Sequence, residues 1–285
     1  MQIITTIQEI RDIAVKAKHK GSVGYVPTMG ALHEGHGSLI KKAREENDTV
    51  IVSVFVNPLQ FGPGEDYEAY PRDIEKDGKF CQNLGVDYIF HPSPEEMYPK
   101  NFGFRVVPPD NMTHILCGIT RPIHFTGVAT VLAKFFTVIR PTKAYFGQKD
   151  VQQVAIVKAM VEDLNLNLDI VPCPIVREND GLAKSSRNTY LTTDERQAAT
   201  VLSRALKLAL NEAKNGNRDA ENIKQKVVEE IQKEPLAKID YVEILRFSNF
   251  ERVKTIEKDT FMAMAVYIGN TRLIDNTFFD ELNTL

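Results

Sequence analysis

The string VPTMGALHEGHGS (26–38) sets His33 and His36 among three glycines, at the point where a short apolar strand should turn into a helix. Upstream, SVGYVP (22–27) is β-prone; downstream, GSLIKKAREEN (37–47) has Leu39 and Ile40 on one side and charge on the other. A helix N-terminus exposes unpaired N–H groups and the positive end of the helix dipole, so a glycine-rich approach to one is a seat for phosphate. Gly30 and Gly35 have the spacing of a P-loop, but His36 and Gly37 follow where Lys and Ser/Thr would stand, which argues against a Walker A site. Zinc fits poorly too, because zincin histidines lie four apart on a formed helix and Gly35 interrupts a three-residue spacing here. A purely structural reading remains open, with glycines making a turn and the histidines acting as polar caps. The reading favoured on chemistry is that both imidazoles face a polyphosphate.

Three further segments carry groups suited to that ligand. They are the 57–61 loop with Gln60, the 147–153 segment with Lys149 and Gln153, and the 183–188 loop with Lys184, Ser185, Ser186 and Arg187. Lysine and arginine cations with serine hydroxyls suit a triphosphate. Taken singly, each has a bland alternative: a surface lysine is usually solvated, a serine pair is usually a turn, and an arginine usually pairs with a nearby carboxylate.

These loops need a frame, and the pattern of the chain predicts one. TVIVSVFV (49–56) is nearly continuous in β-branched and aromatic residues, as in a strand buried on both faces of a parallel sheet. Helix and strand then alternate: a helix over 73–84, a strand at VDYIFHP (86–92), another at FRVVP (104–108), an apolar helix ending before Pro141, KAYFGQKD (143–150) repeating the strand-to-loop-to-helix pattern, its helix over 151–164 and a strand at LDIVPCPIV (168–176). At the N-terminus Thr6 and Glu9 form a capping box ahead of a helix that presents Ile7, Ile10, Ile13 and Ala14 on one face. Right-handed crossovers make this a doubly wound α/β sheet, with its loops at the carboxyl edge where such sheets bind ligands. After Val176 the pattern changes to a polar loop, two capped helices opening at Thr192 and Asp219, and strands at IDYVEIL (239–245) and FMAMAVYIG (261–269). That predicts a smaller α+β domain over 177–285, following a first domain over 1–176.

Composition bounds the setting. The chain has 285 residues, 43% hydrophobic and 26% charged, as in ordinary globular proteins. A net charge of −3 gives no sign of a nucleic-acid or membrane surface, and no apolar run approaches a membrane span. Three widely spaced cysteines, with no CxxC pair, point to a reducing cytoplasm.

In order along the chain, TMGALHEGH, FVNPLQF, YPR, RPIHFTGV, FGQKDVQQ and DGLAKSSRN closely resemble the motifs of the pantoate–β-alanine ligases, over essentially the whole length. HxGH alone would indicate only the wider nucleotidyltransferase superfamily. The resemblance implies a Rossmann-like domain with a smaller C-terminal domain that covers the site, usually in a homodimer. It also implies ATP- and Mg²⁺-dependent condensation of pantoate with β-alanine through a pantoyl adenylate. Carried over residue by residue, Met29, Gly30, Ala31, Leu32, His33, Glu34, Gly35 and His36 match the ATP-binding loop, with His36 at the proton-donor position and His33 as its partner. Gln60 and Gln153 match pantoate ligands. Gly147, Gln148, Lys149 and Asp150 match a second ATP segment. Val176 matches a residue on the adenine side, and Lys184, Ser185, Ser186 and Arg187 match a loop like the KMSKS loop of class I aminoacyl-tRNA synthetases. The chain departs from the common pattern at Cys117, where many members carry an acid, at Gln148 in place of Glu, and at Lys184 in place of an apolar residue. The first should loosen an ion pair of Arg121, and the last should alter nucleotide affinity. No metal ligands are identified. A nucleotidyltransferase that stops at its nucleotidyl product and a non-catalytic nucleotide sensor are the competing readings.

Overall fold

A computed structural model describes residues 1–279. In chain order its elements are β1 (Gln2–Ile4), α1 (Ile7–Lys20), β2 (Val23–Thr28), α2 (Glu34–Glu46), β3 (Thr49–Val54), α3 (Ile74–Asn83), β4 (Tyr88–Phe90), α4 (Pro94–Met97), α5 (Asp110–Thr113), α6 (Cys117–Thr120), α7 (His124–Ile139), β5 (Lys143–Gly147), α8 (Val151–Asp163), β6 (Asp169–Cys173), α9 (Thr193–Ala198), α10 (Val201–Lys214), α11 (Ala220–Gln232), β7 (Ala237–Arg246), β8 (Thr260–Ile268) and β9 (Thr271–Phe278). The chain divides into two compact units, and the division is not one cut. Residues 110–120 and 149–155 belong with the C-terminal unit, which otherwise begins at Ile175, whereas the sequence pattern places a single boundary near Val176.

The first unit is built on a parallel sheet of order β1-β4-β3-β2-β5-β6. From β2 the chain winds outward through β3 to β4 and then returns to add β5 and β6 on the other side, so β2 is the strand at which the order reverses. Ligands of open α/β sheets bind outside the carboxyl ends of the strands at that point. The strands carry the expected apolar residues: Val50, Ile51 and Val52 have no exposed surface. The fully buried ring of Tyr25 donates its hydroxyl to Ser53 Oγ at 2.8 Å. Helix α1 is capped by Thr6, whose hydroxyl accepts from Glu9 N, and it buries Ile10 and Ala14. FRVVP is not a strand. Val106 N donates to the hydroxyl of Thr130, and the side chains of Phe104 and Val107 are 82% and 71% exposed. The β-prone residues therefore have no sheet face to pack against.

The second unit packs α9, α10 and α11 with an antiparallel sheet β7-β8-β9 around Leu202, Leu206, Ile223, Val227, Met262 and Met264. The helix expected to open at Thr192 is two helices. Thr192 and Glu195 form a complete capping box for α9, and the chain turns at Ala199 and Thr200 before α10. Strand β9, which the sequence reading did not include, pairs along β8 from Thr271 to Phe278. No helix among the described residues is long and apolar enough to cross a membrane.

Candidate active site

The loop after β2 is held from both ends. Gly30 and Ala31 take φ values of +86° and +50°, and a Cβ at Gly30 would lie 2.8 Å from a carboxylate oxygen of Asp77. Asp77 is the reason for the tight approach. Its two carboxylate oxygens accept from Ala31 N at 3.0 Å and Leu32 N at 2.8 Å, satisfying backbone donors that no helix or ladder serves. Burial pushes the Asp77 carboxyl above the usual range, and the N–H groups of Leu32 and Ala31 only partly offset it. At the other end of the segment Thr28 Oγ1 accepts from Gly30 N and donates to Ser53 O.

Helix α2 begins earlier than expected, with His33 as its N-cap and Glu34 as its first residue. Gly35 N donates to His33 Nδ1 at 3.1 Å, and His33 N donates to His36 Nδ1 at 3.3 Å, so two imidazoles perform the reciprocal capping usually done by Ser/Thr and Glu. The capping engages Nδ1 of each ring and is compatible with the phosphate reading. Each Nδ1 is an acceptor, and the hydrogen-bond network assigns the proton of the neutral ring to Nε2. With ring centroids 4.2 Å apart, the pair carries two Nε2–H donors at a helix N-terminus.

Gln60 follows β3, the immediate neighbour of β2, in a one-turn 3₁₀ helix opened by Asn57. Its Nε2 lies 2.9 Å from Met29 Sδ, so the loops after β2 and β3 meet directly. Asn57 Nδ2 donates to Gln60 Oε1 at 3.1 Å and to Gly127 O at 3.1 Å, while Asn57 Oδ1 accepts from Tyr98 Oη at 2.7 Å. That chain fixes which end of the Gln60 amide is which, leaving the NH₂ side as the donor. Around it, His124 Nδ1 and Arg121 approach Gln60 O, and Arg121 forms an ion pair at 2.5 Å with Glu65. The carboxylate partner of Arg121 is therefore Glu65. Gly147 and Gln148 close the set in this unit, at the carboxyl end of β5 on the other side of β2.

In the second unit Lys149 and Asp150 precede α8, whose first turn carries Gln152 and Gln153. Gln152 is buried and committed to backbone, accepting from Cys117 N and donating to Met112 O and Ile115 O. Gln153 is half-buried beside it. Val176 and Lys184 pair through Lys184 N to Val176 O at 2.9 Å, and Arg177 bridges to Ala183, which makes a hairpin stem. Beyond the stem Ser185 caps a 3₁₀ helix (Ser186–Tyr190), its hydroxyl accepting from Arg187 N. The ammonium of Lys184 is 3.5 Å from the Glu178 carboxylate, which moderates the extra charge this chain carries there. Cys117 Sγ lies 3.3 Å from Tyr241 Oη and 3.5 Å from a guanidinium nitrogen of Arg272.

Among the described residues no group of three or more His, Cys, Asp or Glu could hold a metal ion, and the His33–His36 pair belongs to no such group. Asn57, Asp77, His124 and Gly127 were not singled out by the sequence reading. Asp77 and His124 act on backbone atoms of other segments, and Asn57 links Gln60 Oε1, Tyr98 Oη and Gly127 O, partners that no spacing rule brings together.

A sequence model for pantoate-beta-alanine ligase matches residues 2–278. The chain belongs to the pantoate–β-alanine ligase family. It is similar to pantothenate synthetase of Clostridium botulinum (strain Kyoto / Type A2), at 56% identity over 98% of this chain and 99% of that one. With pantothenate synthetase of Caldicellulosiruptor bescii the identity is 53%, over 97% of this chain and 98% of the other. Among solved structures, pantothenate synthetase from Thermus thermophilus superposes with a TM-score of 0.93 at 43% identity, covering 98% of this chain and 99% of that chain. A pantoate-beta-alanine ligase from Francisella tularensis, complexed with beta-gamma ATP and beta-alanine, superposes with a TM-score of 0.81 at 36% identity, covering 98% of each chain. Family membership makes the chain an enzyme, a ligase of pantothenate biosynthesis.

Proposed function

We propose that the protein joins pantoate to β-alanine in two steps, with ATP as co-substrate. A pantoate carboxylate oxygen attacks the α-phosphorus of ATP, and the bond to the bridging β-phosphate oxygen breaks, releasing diphosphate. The amine of β-alanine then attacks the acyl carbon of the pantoyl adenylate, and the acyl C–O bond breaks, giving pantothenate, AMP and a proton. The observation that carries this reading is the reciprocal cap at His33 and His36, which fixes both rings with Nε2–H as the donor side. Such donors stabilise charge that grows on phosphate oxygens as the leaving group departs, and they are already oriented when it does.

The other candidate residues have compatible roles. Gln60, oriented by Asn57, donates to an oxygen of pantoate, and Gln153 is a second neutral ligand, so neither charge-pairs with the nucleophilic carboxylate. Lys149 and Arg187 neutralise phosphate charge, Ser185 and Ser186 donate to it, and Val176 offers an apolar contact to adenine. Magnesium would arrive with ATP and would supply neutralisation of phosphate charge; the described residues offer no group of three or more His, Cys, Asp or Glu to hold it by themselves. A cytoplasmic homodimer is proposed for the assembly. The buried free thiols of Cys81, Cys117 and Cys173 support the location, and the family resemblance supports the dimer, which light scattering tests directly.

The deciding experiment uses pantoate labelled with ¹⁸O in its carboxylate. Adenylation transfers one label to AMP; unlabelled AMP, or ADP as product, refutes it. Omitting β-alanine separates the ligase, which stalls at a bound adenylate, from a transferase, which turns over. His36→Ala should lose at least about 10²-fold in kcat, as removal of one oriented donor does, with an intact folded core by circular dichroism.

A further inference from the structure

Strand β9 carries Asp275 and Asn276, adjacent polar residues that are only 2% and 1% exposed. Successive side chains of a strand point to opposite faces, so two neighbours that are both buried and both polar must each find partners on a different side. Asp275 receives the Arg177 guanidinium in a two-pronged pair, at 2.7 and 2.9 Å, and also accepts from Asn276 N at 2.8 Å. The same guanidinium donates to Gly181 O at 3.0 Å, inside the turn of the hairpin whose stem delivers Lys184 and the 185–187 loop. Asn276 Nδ2 donates in the other direction, to Lys149 O at 2.9 Å. One strand thus grips both cationic segments of its unit, through backbone oxygens that no side-chain motif encodes.

We propose that Asp275 and Asn276 are positioning residues for adenylation, mounting the Lys149 segment and the Arg177–Ala183 hairpin on β9 so that their cations are held ready for phosphate. This rests on the assignment of Lys149 and Arg187 to phosphate. Asn276 acts through Lys149, and Asp275 acts through Arg177 on the loop of Arg187. A residue that only stabilised the fold would lower activity independently of which cation was present. A mount loses its effect once the group it holds is gone, and that difference is measurable as non-additivity.

The test is pantoate-dependent exchange of diphosphate with ATP, measured for Asn276→Asp, Lys149→Ala and the double variant. Asn276→Asp keeps the shape, removes the NH₂ donor and sets a carboxylate against the Lys149 carbonyl. A second cycle combines Arg177→Lys, which keeps the charge and loses the fork, with Arg187→Ala; it supplies the answer should Asn276→Asp not fold. We expect each mount variant to lose at least tenfold in exchange rate, and each double variant to match its Ala single within twofold. Losses that multiply across the pair overturn the inference and leave the phosphate assignment standing. Lys149→Ala and Arg187→Ala at near wild-type rates overturn the assignment and the inference with it. Mount variants at wild-type rate overturn the inference alone.

Discussion

Gly127, on the first turn of α7, touches the backbone that carries Gln60. A Cβ at this position would overlap the carbonyl of Leu59 and lie 2.6 Å from Gln60 Cα. Ordinary carbon–carbon contact begins near ~3.5 Å, so relieving the overlap with the Leu59 carbonyl carbon requires Gly127→Ala to part the helix from the loop by about 1.1 Å. The obstructing atoms are backbone and cannot rotate aside. Such a shift would also lengthen the 3.1 Å hydrogen bond from Asn57 Nδ2 to Gly127 O and turn the amide that orients Gln60. A displacement of this size at a substrate-positioning group costs about 10²-fold, which is about 2.7 kcal/mol. Overpacking should remove a further ~1–3 kcal/mol of folding stability. The assay is kcat/KM for pantoate at saturating ATP and β-alanine, beside urea unfolding of the same preparation. Gly103→Ala is the control, because nothing lies within 4 Å of a Cβ there. If Gly127→Ala keeps kcat/KM within threefold of wild type and unfolds at the same urea concentration, the close approach does not position Gln60.

Asp77→Asn replaces an acceptor-only group with one that turns an NH₂ toward Ala31 N or Leu32 N, and one unsatisfied buried donor costs about 1–3 kcal/mol; urea denaturation should show that loss, and the KM for ATP should rise. Glu46 is drawn down to about 2, chiefly by its hydrogen bond to Lys42 and then by Lys143 and Tyr145. A depressed carboxylate contributes stability above its unfolded value, near 4.5, and loses that contribution as pH falls toward 2, so the stability difference between wild type and Glu46→Gln should vanish over that interval. Burial pushes the thiols of Cys81 and Cys173 up to about 12 and about 11. Neither should react with a chromogenic disulfide at pH 7.5 until urea unfolds the chain, and prompt native reaction at either would contradict the burial.

Much of this molecule is legible in its residues, and the limits have physical causes. Strands β2, β3 and β5 announce themselves because burial in the middle of the sheet demands nearly continuous apolar runs, whereas the edge strand β6, in which only Cys173 is buried, is marked by the β-branched Ile170 and Val171. Thr6, Thr192 and Asp219 mark helix starts because a cap is a local contact between residues a few positions apart. FRVVP carries the propensity for a strand without a neighbour to pair with, and propensity alone does not make a ladder. Strand β9 is hidden by Asp275 and Asn276, whose burial breaks the apolar alternation. The histidines are visible as chemistry, but their own capping of α2 moves the helix start upstream of Gly37. Asp77 looks like one more helix-surface carboxylate, since its partners are the amides of Ala31 and Leu32, which are invisible to any reading of side-chain types.

The cap made by His33, set beside the phosphate role proposed for the same ring, has a consequence for how the position can change over evolutionary time. Its Nδ1 is committed to starting a helix, while Nε2 lies on the far side of the same ring. Asparagine is an excellent N-cap and could inherit the first task, yet its amide ends too short to place a donor where Nε2 does. Drift that preserves foldability would therefore still be visible to selection on turnover. In a library scored only for soluble expression His33 should look replaceable, and in one scored for growth without supplied pantothenate it should not.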